Sequence, residues 1–212
     1  MTDQVTESRA SRRGEVCSES QALRLLIMGP QGSGKGTQAA RLAEKFEIPT
    51  ISTGDIFRTN IKGDTELGRM AQEYTNRGEL VPDSVTDQMV RQRLQANDVV
   101  NGFILDGYPR NAAQVTALDA TLGALGWTLD AVVDLTADRD ELMARMVKRA
   151  EAEGRADDTP EVIARRLDIY EEQTAPLTAI YAERDLLVQV DGLGEIEEVT
   201  ERIVTGLQAK FG

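Results

Sequence analysis

Residues 29–37, GPQGSGKGT, bring four glycines and one lysine into nine positions. Glycines let backbone N–H groups curl closely around an anion, and a lysine at the end of such a turn reaches terminal phosphates. The chemistry on offer is the cradling of a polyphosphate. The strict pattern G-x-x-x-x-G-K-[ST] is broken at its last place. Gly29, Gly34 and Lys35 fit, but Gly36 stands where a hydroxyl should hold magnesium, and the hydroxyl comes one residue later at Thr37. A cradle needs a strand before it and a helix after it, so that the helix N-terminus faces the phosphates. Both flanks are predicted. Leu23, Leu25, Leu26, Ile27 and Met28 form a nearly continuous apolar run, and Ala39, Leu42, Ala43 and Phe46 recur at helical spacing. With these flanks, a glycine-rich turn with an incidental lysine is the weaker reading.

Three further segments carry polar groups at spacings that suit phosphates. In ISTGDIFR (51–58), Ser52, Thr53 and Asp55 are N-cap and turn residues, so a strand ending in a capped helix explains them as well as a binding role does. In FILDGYPRNAAQ (103–114), a strand ends in Asp106 and a Gly-Tyr-Pro turn presents Arg110. Carboxyl ends of parallel strands are where α/β sheets bind ligands. An aspartate there can orient metal-bound waters, and an arginine can clamp a phosphate two-pronged; a helix cap is the plainer role for Asp106. In RMVKRAEAEGRADDTPEVIARR (145–166), Arg145 and Arg149 share one helix face. The helix is expected to end in the polar connection Ala150 to Gly154, after which Thr159 caps a helix with Pro160 at its first position and Arg166 inside it. Arginines at helical spacing are usually solvated surface. Four of them around a short hairpin, in a chain of net charge −12, point instead to a phosphate clamp, with Asp157 and Asp158 restraining the guanidiniums when no ligand is present.

These segments need a scaffold, and the chain alternates accordingly. Further apolar runs occur at Gly102–Leu105, Ala131–Leu135 and Leu186–Val190, separated by helical stripes such as Val115, Leu118, Leu122 and Leu125, or Leu142 with Met146. A last stripe, Ile196, Val199, Ile203 and Leu207, closes the chain. The pattern predicts an α/β fold, a parallel sheet covered by helices on both sides. Residues 52–81 differ: they are polar and helical, with one amphipathic helix marked by Leu67, Met70, Ala71 and Tyr74 and stopped by Gly78, as expected of an insertion in the core. At 212 residues and 41% apolar content the chain can bury one substantial core. Its acidity makes general attraction to nucleic acid or anionic lipid unfavourable. A single cysteine, Cys17, and no histidine exclude a disulfide framework, an ordinary zinc site and an imidazole base. No apolar run reaches membrane-spanning length, and residues 1–21 lack the apolar segment of a secretory signal and read as a disordered tail. A reducing cytoplasm suits this composition, and with no large apolar stripe in view a monomer is expected.

Taken together, GPQGSGKGT, STGDIFR, LDGYPR followed by Gln114, and RADDTPEVIARRLDIYEEQTAP resemble the adenylate kinases, in order and over roughly Leu23 to Phe211. In that family the Gly-Lys-Gly-Thr form of the phosphate loop is the usual one, so the departure at Gly36 is itself a mark of the family. The resemblance implies a phosphate-loop core (22–51), an AMP-binding insertion (52–81), more core (82–145), a short lid (146–158) and a final core segment (159–212). It implies the reversible reaction of MgATP with AMP to give MgADP and ADP. By position, Gly32, Ser33, Gly34, Lys35, Gly36, Thr37, Arg145, Arg149 and Gly194 fall to ATP. Thr53, Arg58, Glu79, Val81, Gly107, Arg110 and Gln114 fall to AMP, with Thr53 and Gln114 reading adenine. Arg155 and Arg166 bridge the two nucleotides, and Asp106 holds Mg2+ through water. The catalytic set so implied is Lys35, Arg110, Arg145, Arg149, Arg155 and Arg166. Two features depart from many bacterial members: the lid is short, without cysteines for zinc, and a tail of some twenty residues is extra.

The residues suit that reaction on their own terms. The acceptor phosphate of AMP is largely deprotonated at neutral pH, with a second pKa of about 6, so no histidine base is needed. Phosphoryl transfer needs alignment, charge neutralisation and exclusion of water, which a lysine, arginines, magnesium and a closing lid supply; adenylate kinase is itself a standard example of such closure. Two alternatives remain at the level of sequence. A UMP or CMP kinase would share the loop and arginines, although the pyrimidine kinases that resemble it tend to carry alanine at the position of Thr53. A GTP-gated switch would ordinarily show an Asn-Lys-x-Asp segment, which does not occur.

Overall fold

Leu25, Leu26, Ile27 and Met28 are apolar on both faces of the pleat because β1 (Leu23–Met28) is the middle strand of a sheet covered on both sides. The computed structural model describes residues 22–153 and 159–211. Five parallel strands lie in the order β2-β3-β1-β4-β5, with β2 at Thr50–Ser52, β3 at Gly102–Asp106, β4 at Ala131–Thr136 and β5 at Leu187–Asp191. Side-chain alternation divides β1 between two cores. Leu26 and Met28 pack with Phe103, Leu105, Val115 and Leu118 on one face; Leu25 and Ile27 pack with Ala39, Leu42, Ile203 and Leu207 on the other.

The helices are α1 (Lys35–Phe46), α2 (Thr53–Lys62), α3 (Glu66–Thr75), α4 (Asp83–Leu94), α5 (Ala112–Leu125), α6 (Arg139–Glu153), α7 (Pro160–Ile169), α8 (Leu177–Glu183) and α9 (Ile196–Phe211). A π-helical turn, Tyr170–Thr174, joins α7 to α8. The chain leaves β1 toward β2 and β3, then returns to place β4 and β5 on the other side. This reversal opens a crevice at the carboxyl end of β1.

Residues 52–81 hold two helices: the capped helix read at 51–58 is formed, with Ser52 accepting from the Asp55 N–H at 3.3 Å, ahead of the amphipathic helix marked by Leu67. The latter is α3, capped by Thr65, whose hydroxyl accepts from the Gly68 N–H at 3.0 Å; Phe57 of α2 and Ala71 of α3 share a small core with Val81, whereas Met70 is 40% exposed. In addition, α6 continues through Glu153 where a polar connection was expected from Ala150, since alanine and glutamate both favour helix. Met146, placed in the lid by its position, is fully buried with Leu142, Ile163 and Leu167 between α6 and α7. Helix α7 starts as read: the Thr159 hydroxyl accepts from the Val162 N–H at 3.3 Å and Pro160 is its first residue. Residues 154–158, with Gly154, Arg155, Asp157 and Asp158, lie outside the described residues, as do Cys17 and the rest of 1–21.

Candidate active site

The turn between β1 and α1 takes its shape from positive φ at Gly29, Gly32 and Gly34 (135°, 87° and 91°). At Gly29 a Cβ would come within 2.5 Å of the Leu135 carbonyl oxygen, so glycine is required by β4 as well as by conformation. Gln31, which lines the cavity above this loop, has its Oε1 buried without a hydrogen-bond partner, which fits a loop whose bonding is completed by a ligand. Lys35 Nζ donates to the Pro30 carbonyl at 2.8 Å, folded back across its own loop.

This loop floors a cavity of about 910 Å3, large enough for two nucleotides. Gly32, Gly34, Lys35, Gly36 and Thr37 line one part of it, and Arg145 and Arg149 reach it from α6. Arg145 is held by Glu141 at 2.7 Å and by the Gly192 carbonyl at 3.2 Å. Across the cavity stand Thr53, Arg58, Glu79, Val81, Gly107, Arg110 and Gln114, with Arg166 entering from α7. Arg58 pairs with Asp55 one turn earlier, and Glu79 accepts from Arg77 at 3.0 Å. Arg110 donates from Nε to the Gly107 carbonyl at 2.7 Å, while its own carbonyl accepts from Thr174 at 2.8 Å. Arg166 donates to the carbonyl of Thr75, the last residue of α3, at 3.2 Å, tying the inserted helices to α7.

The sheet sets the electrostatics. In register, Ile27 of β1 is level with Asp106 of β3, and Met28 with Asp134 of β4, so two carboxylates flank the strand that leads into Lys35. Loss of water lowers Lys35 from its usual 10.5 to about 8, with Arg110 and Arg149 adding to the effect and Asp106 and Asp134 opposing it. Arg110 is lowered by the same desolvation and by Arg166 and Arg58, against Asp106. Burial raises Asp134, partly offset by Gln189, whose Nε2 donates to it at 3.2 Å, and by Lys35 and Tyr170. A surplus of like charge around one enclosed space is what a polyanion would relieve.

Asp106 is not the cap of the helix that follows; Asn111 is, accepting from the Gln114 N–H at 2.9 Å. That leaves the Asp106 carboxylate at the strand end, facing the cradle. Among the described residues no group of three or more His, Cys, Asp or Glu stands together. This donor set fits a magnesium ion that arrives on the nucleotide and keeps most of its water.

Of the residues expected at the site, two stand apart. Ser33, 1% exposed, lies beneath the cradle and off the cavity wall. Gly194 sits in the loop between β5 and α9, where φ is 110° and a Cβ would meet Glu198 Oε2 at 2.7 Å and Arg202 Nη2 at 2.9 Å. Arg155 lies outside the described residues. The structure also brings in residues that the sequence did not single out. Tyr170, raised by burial and by the facing Asp134 carboxylate, lines the cavity at the π-helical turn, and Asp83 holds Gln114 from below. Neither has a local signal: one depends on a non-helical turn after a regular helix, the other on a partner 31 positions away.

A family model described as adenylate kinase matches residues 27–186. An adenylate kinase of Bifidobacterium longum (strain NCC 2705) is 64% identical over 186 residues, covering 88% of this chain and 100% of that protein. One from Kocuria rhizophila is 60% identical over 185 residues, covering 87% and 98%. One from a Nocardioides species (strain JS614) is 58% identical over 185 residues, covering 87% and 97%.

Proposed function

The chain belongs to the adenylate kinase family, and from that membership we propose how the cavity over the glycine-rich turn divides between two nucleotides. The activity is that of a nucleoside monophosphate kinase, moving a phosphoryl group between ATP and AMP; the pyrimidine-kinase and switch readings are not favoured. ATP lies with its phosphates in the cradle of residues 32–37, met by Lys35, Arg145 and Arg149. AMP lies opposite, its phosphate on Arg58 and Arg110 and its base against Thr53 and Gln114, walled by Gly107, Glu79 and Val81. Arg166, with Arg155, serves both. Gly194 supports the nucleotide side from its loop behind Gly192, whose Cβ would stand 3.0 Å from the Ser33 carbonyl.

The observation that carries this division is the convergence of two phosphate-seeking sets from different elements on one enclosed space. Lys35 and the α6 arginines come from one side; Arg58 and Arg110 come from the other. Arginine forks fix direction as well as charge, so two phosphates held by separate sets approach in line. Asp106 would hold the water shell of a Mg2+ ion bound with ATP, and that ion would neutralise charge on the phosphates. Lys35 and the arginines do the rest: they bind, orient and stabilise negative charge as it moves. The Thr53 hydroxyl donates to the Gly107 carbonyl at 3.0 Å, so it offers only lone pairs outward and suits an amino group on the base.

We read the enzyme as a cytoplasmic monomer that binds neither nucleic acid nor membrane. In support, the exposed large apolar side chains among the described residues are few: Met70 in α3, Val100, Val147 in α6, and Ile196 and Phe211 at the two ends of α9. No helix among the described residues is long and apolar enough to cross a membrane. Separate calorimetric titrations with AMP and MgATP test the division. Arg58→Ala is expected to weaken AMP binding by at least about tenfold, a loss of about 1.4 kcal/mol, and to leave MgATP binding unchanged; Arg145→Ala is expected to do the reverse. Equal effects on both ligands from either variant would overturn it.

A further inference from the structure

Gln114 is 2% exposed, and its amide is held at both ends within the protein. Oε1 accepts from the Arg110 backbone N–H at 2.8 Å, and Nε2 donates to Asp83 Oδ1 at 2.7 Å. Neither partner can change role: a peptide N–H only donates, and a carboxylate has no hydrogen to give. The amide therefore has one orientation. Turned over, it would set NH2 against N–H and oxygen against carboxylate. Asp83 is itself fixed, since Asn111 Nδ2 donates to its two oxygens at 3.0 and 3.1 Å and it is the first residue of α4, where the helix dipole favours a negative charge. Asn111 in turn caps α5, the helix that carries Gln114.

Each end of the amide keeps one further valence, a hydrogen on Nε2 and a lone pair on Oε1, and Gln114 lines the cavity. A glutamine amide can pair two-pronged with adenine, giving one bond and taking one. A 6-oxo purine reverses the pattern: its O6 accepts where the adenine amino group donates, and its N1–H donates where adenine N1 accepts. A free amide would turn over and accept either base. An amide locked by Asp83 meets the 6-oxo base with acceptor against acceptor and donor against donor.

We propose that Asp83 is a specificity-determining positioning residue, which by fixing the Gln114 amide makes the acceptor site reject 6-oxo purine monophosphates. The inference rests on the reading that Gln114 meets the base. Nothing near Asp83 in the sequence marks it: it is an acidic residue at a helix start, and its role comes from the packing of α4 on α5.

The test compares kcat/KM for AMP and inosine monophosphate, with MgATP as donor, in the unaltered protein, Asp83→Asn and Gln114→Ala. The two acceptors differ only at the 6-position edge, and their ratio within one protein is independent of how much of it is folded. The side-chain amide introduced by Asp83→Asn can donate as well as accept, so this variant removes one of the two constraints on Gln114. The AMP preference is then expected to fall by at least about tenfold in Asp83→Asn, the change for about 1.4 kcal/mol, through a rise in inosine monophosphate turnover. Gln114→Ala is expected to lower the preference as well. An unchanged preference in Asp83→Asn with a lowered one in Gln114→Ala overturns the lock and keeps Gln114 as a base reader. An unchanged preference in Gln114→Ala overturns the base-reading role and the lock with it.

Discussion

Gly36 has an ordinary backbone conformation and nothing within 4 Å of where a Cβ would be, unlike Gly29, whose φ and neighbours both demand glycine. Its smallness is therefore not needed by the empty fold, and room at that point belongs to whatever enters the cradle. Lys35 is the companion case. In the empty cavity its ammonium is lowered to about 8 by desolvation, so charge is present below that pH and lost as pH rises through it. Polyphosphate returns the favourable partner and raises it again. MgATP binding near pH 8 is thus expected to take up roughly half a proton at this residue, seen as a dependence of calorimetric heat on buffer ionisation enthalpy. The dependence is expected to vanish in Lys35→Met, whose turnover is expected to fall by about a hundredfold or more with the fold intact. Buffer-independent heats in the unaltered protein would contradict the electrostatics. Base choice belongs at this scale too: Thr53→Ala is expected to weaken the preference for AMP over CMP by about tenfold, near the 1.4 kcal/mol of one polar contact, and equal use of both by the unaltered protein would contradict the assignment. The cradle and its lysine were legible because loop, strand and helix are contiguous. Asp83 was not, because its meaning lies in a contact between α4 and α5.

Helix α6 carries two functions along one length. Its buried stripe, Leu142 and Met146, packs on Ile163 and Leu167 of α7, while Arg145 and Arg149 turn to the cavity. Arg149 thus stands on a helix anchored in the core, with Arg155 six positions on in the sequence and outside the described residues. If both act once the site has closed, their loss falls on the transition state more than on binding of the first nucleotide. Arg149→Ala and Arg155→Ala are each expected to lower kcat by at least about a hundredfold, about 2.7 kcal/mol, with little change in Tm; a surface arginine would contribute little to either. Unchanged kcat in both variants would show that these arginines are ordinary surface. The apolar pair Leu142 and Met146 located α6, and the cap residues Thr159 and Pro160 located the start of α7. The end of α6 was misjudged because charge and small side chains between 150 and 153 look like a linker although they favour helix. Helix α2 was legible only through its cap residues Ser52, Thr53 and Asp55: its buried side includes the polar Thr53, so the apolar stripe is short.

Across the whole molecule, a chain with net charge −12 gathers its useful cations at one crevice. The sheet order places that crevice at the carboxyl end of β1, where the chain reverses from β3 to β4. Alternating apolar runs announced the parallel sheet, but not the order of its strands, which depends on contacts across it. We propose that one cavity seats a triphosphate and AMP together and passes a phosphoryl group directly between them, with water kept out. The most direct measurement is a product assay with MgATP against AMP, CMP, UMP, GMP and no acceptor, following each nucleotide by chromatography. Two ADP formed for each AMP consumed, with much slower use of the other acceptors and little ATP hydrolysis in their absence, is the predicted result. ATP hydrolysis that proceeds at the same rate with and without AMP would contradict it.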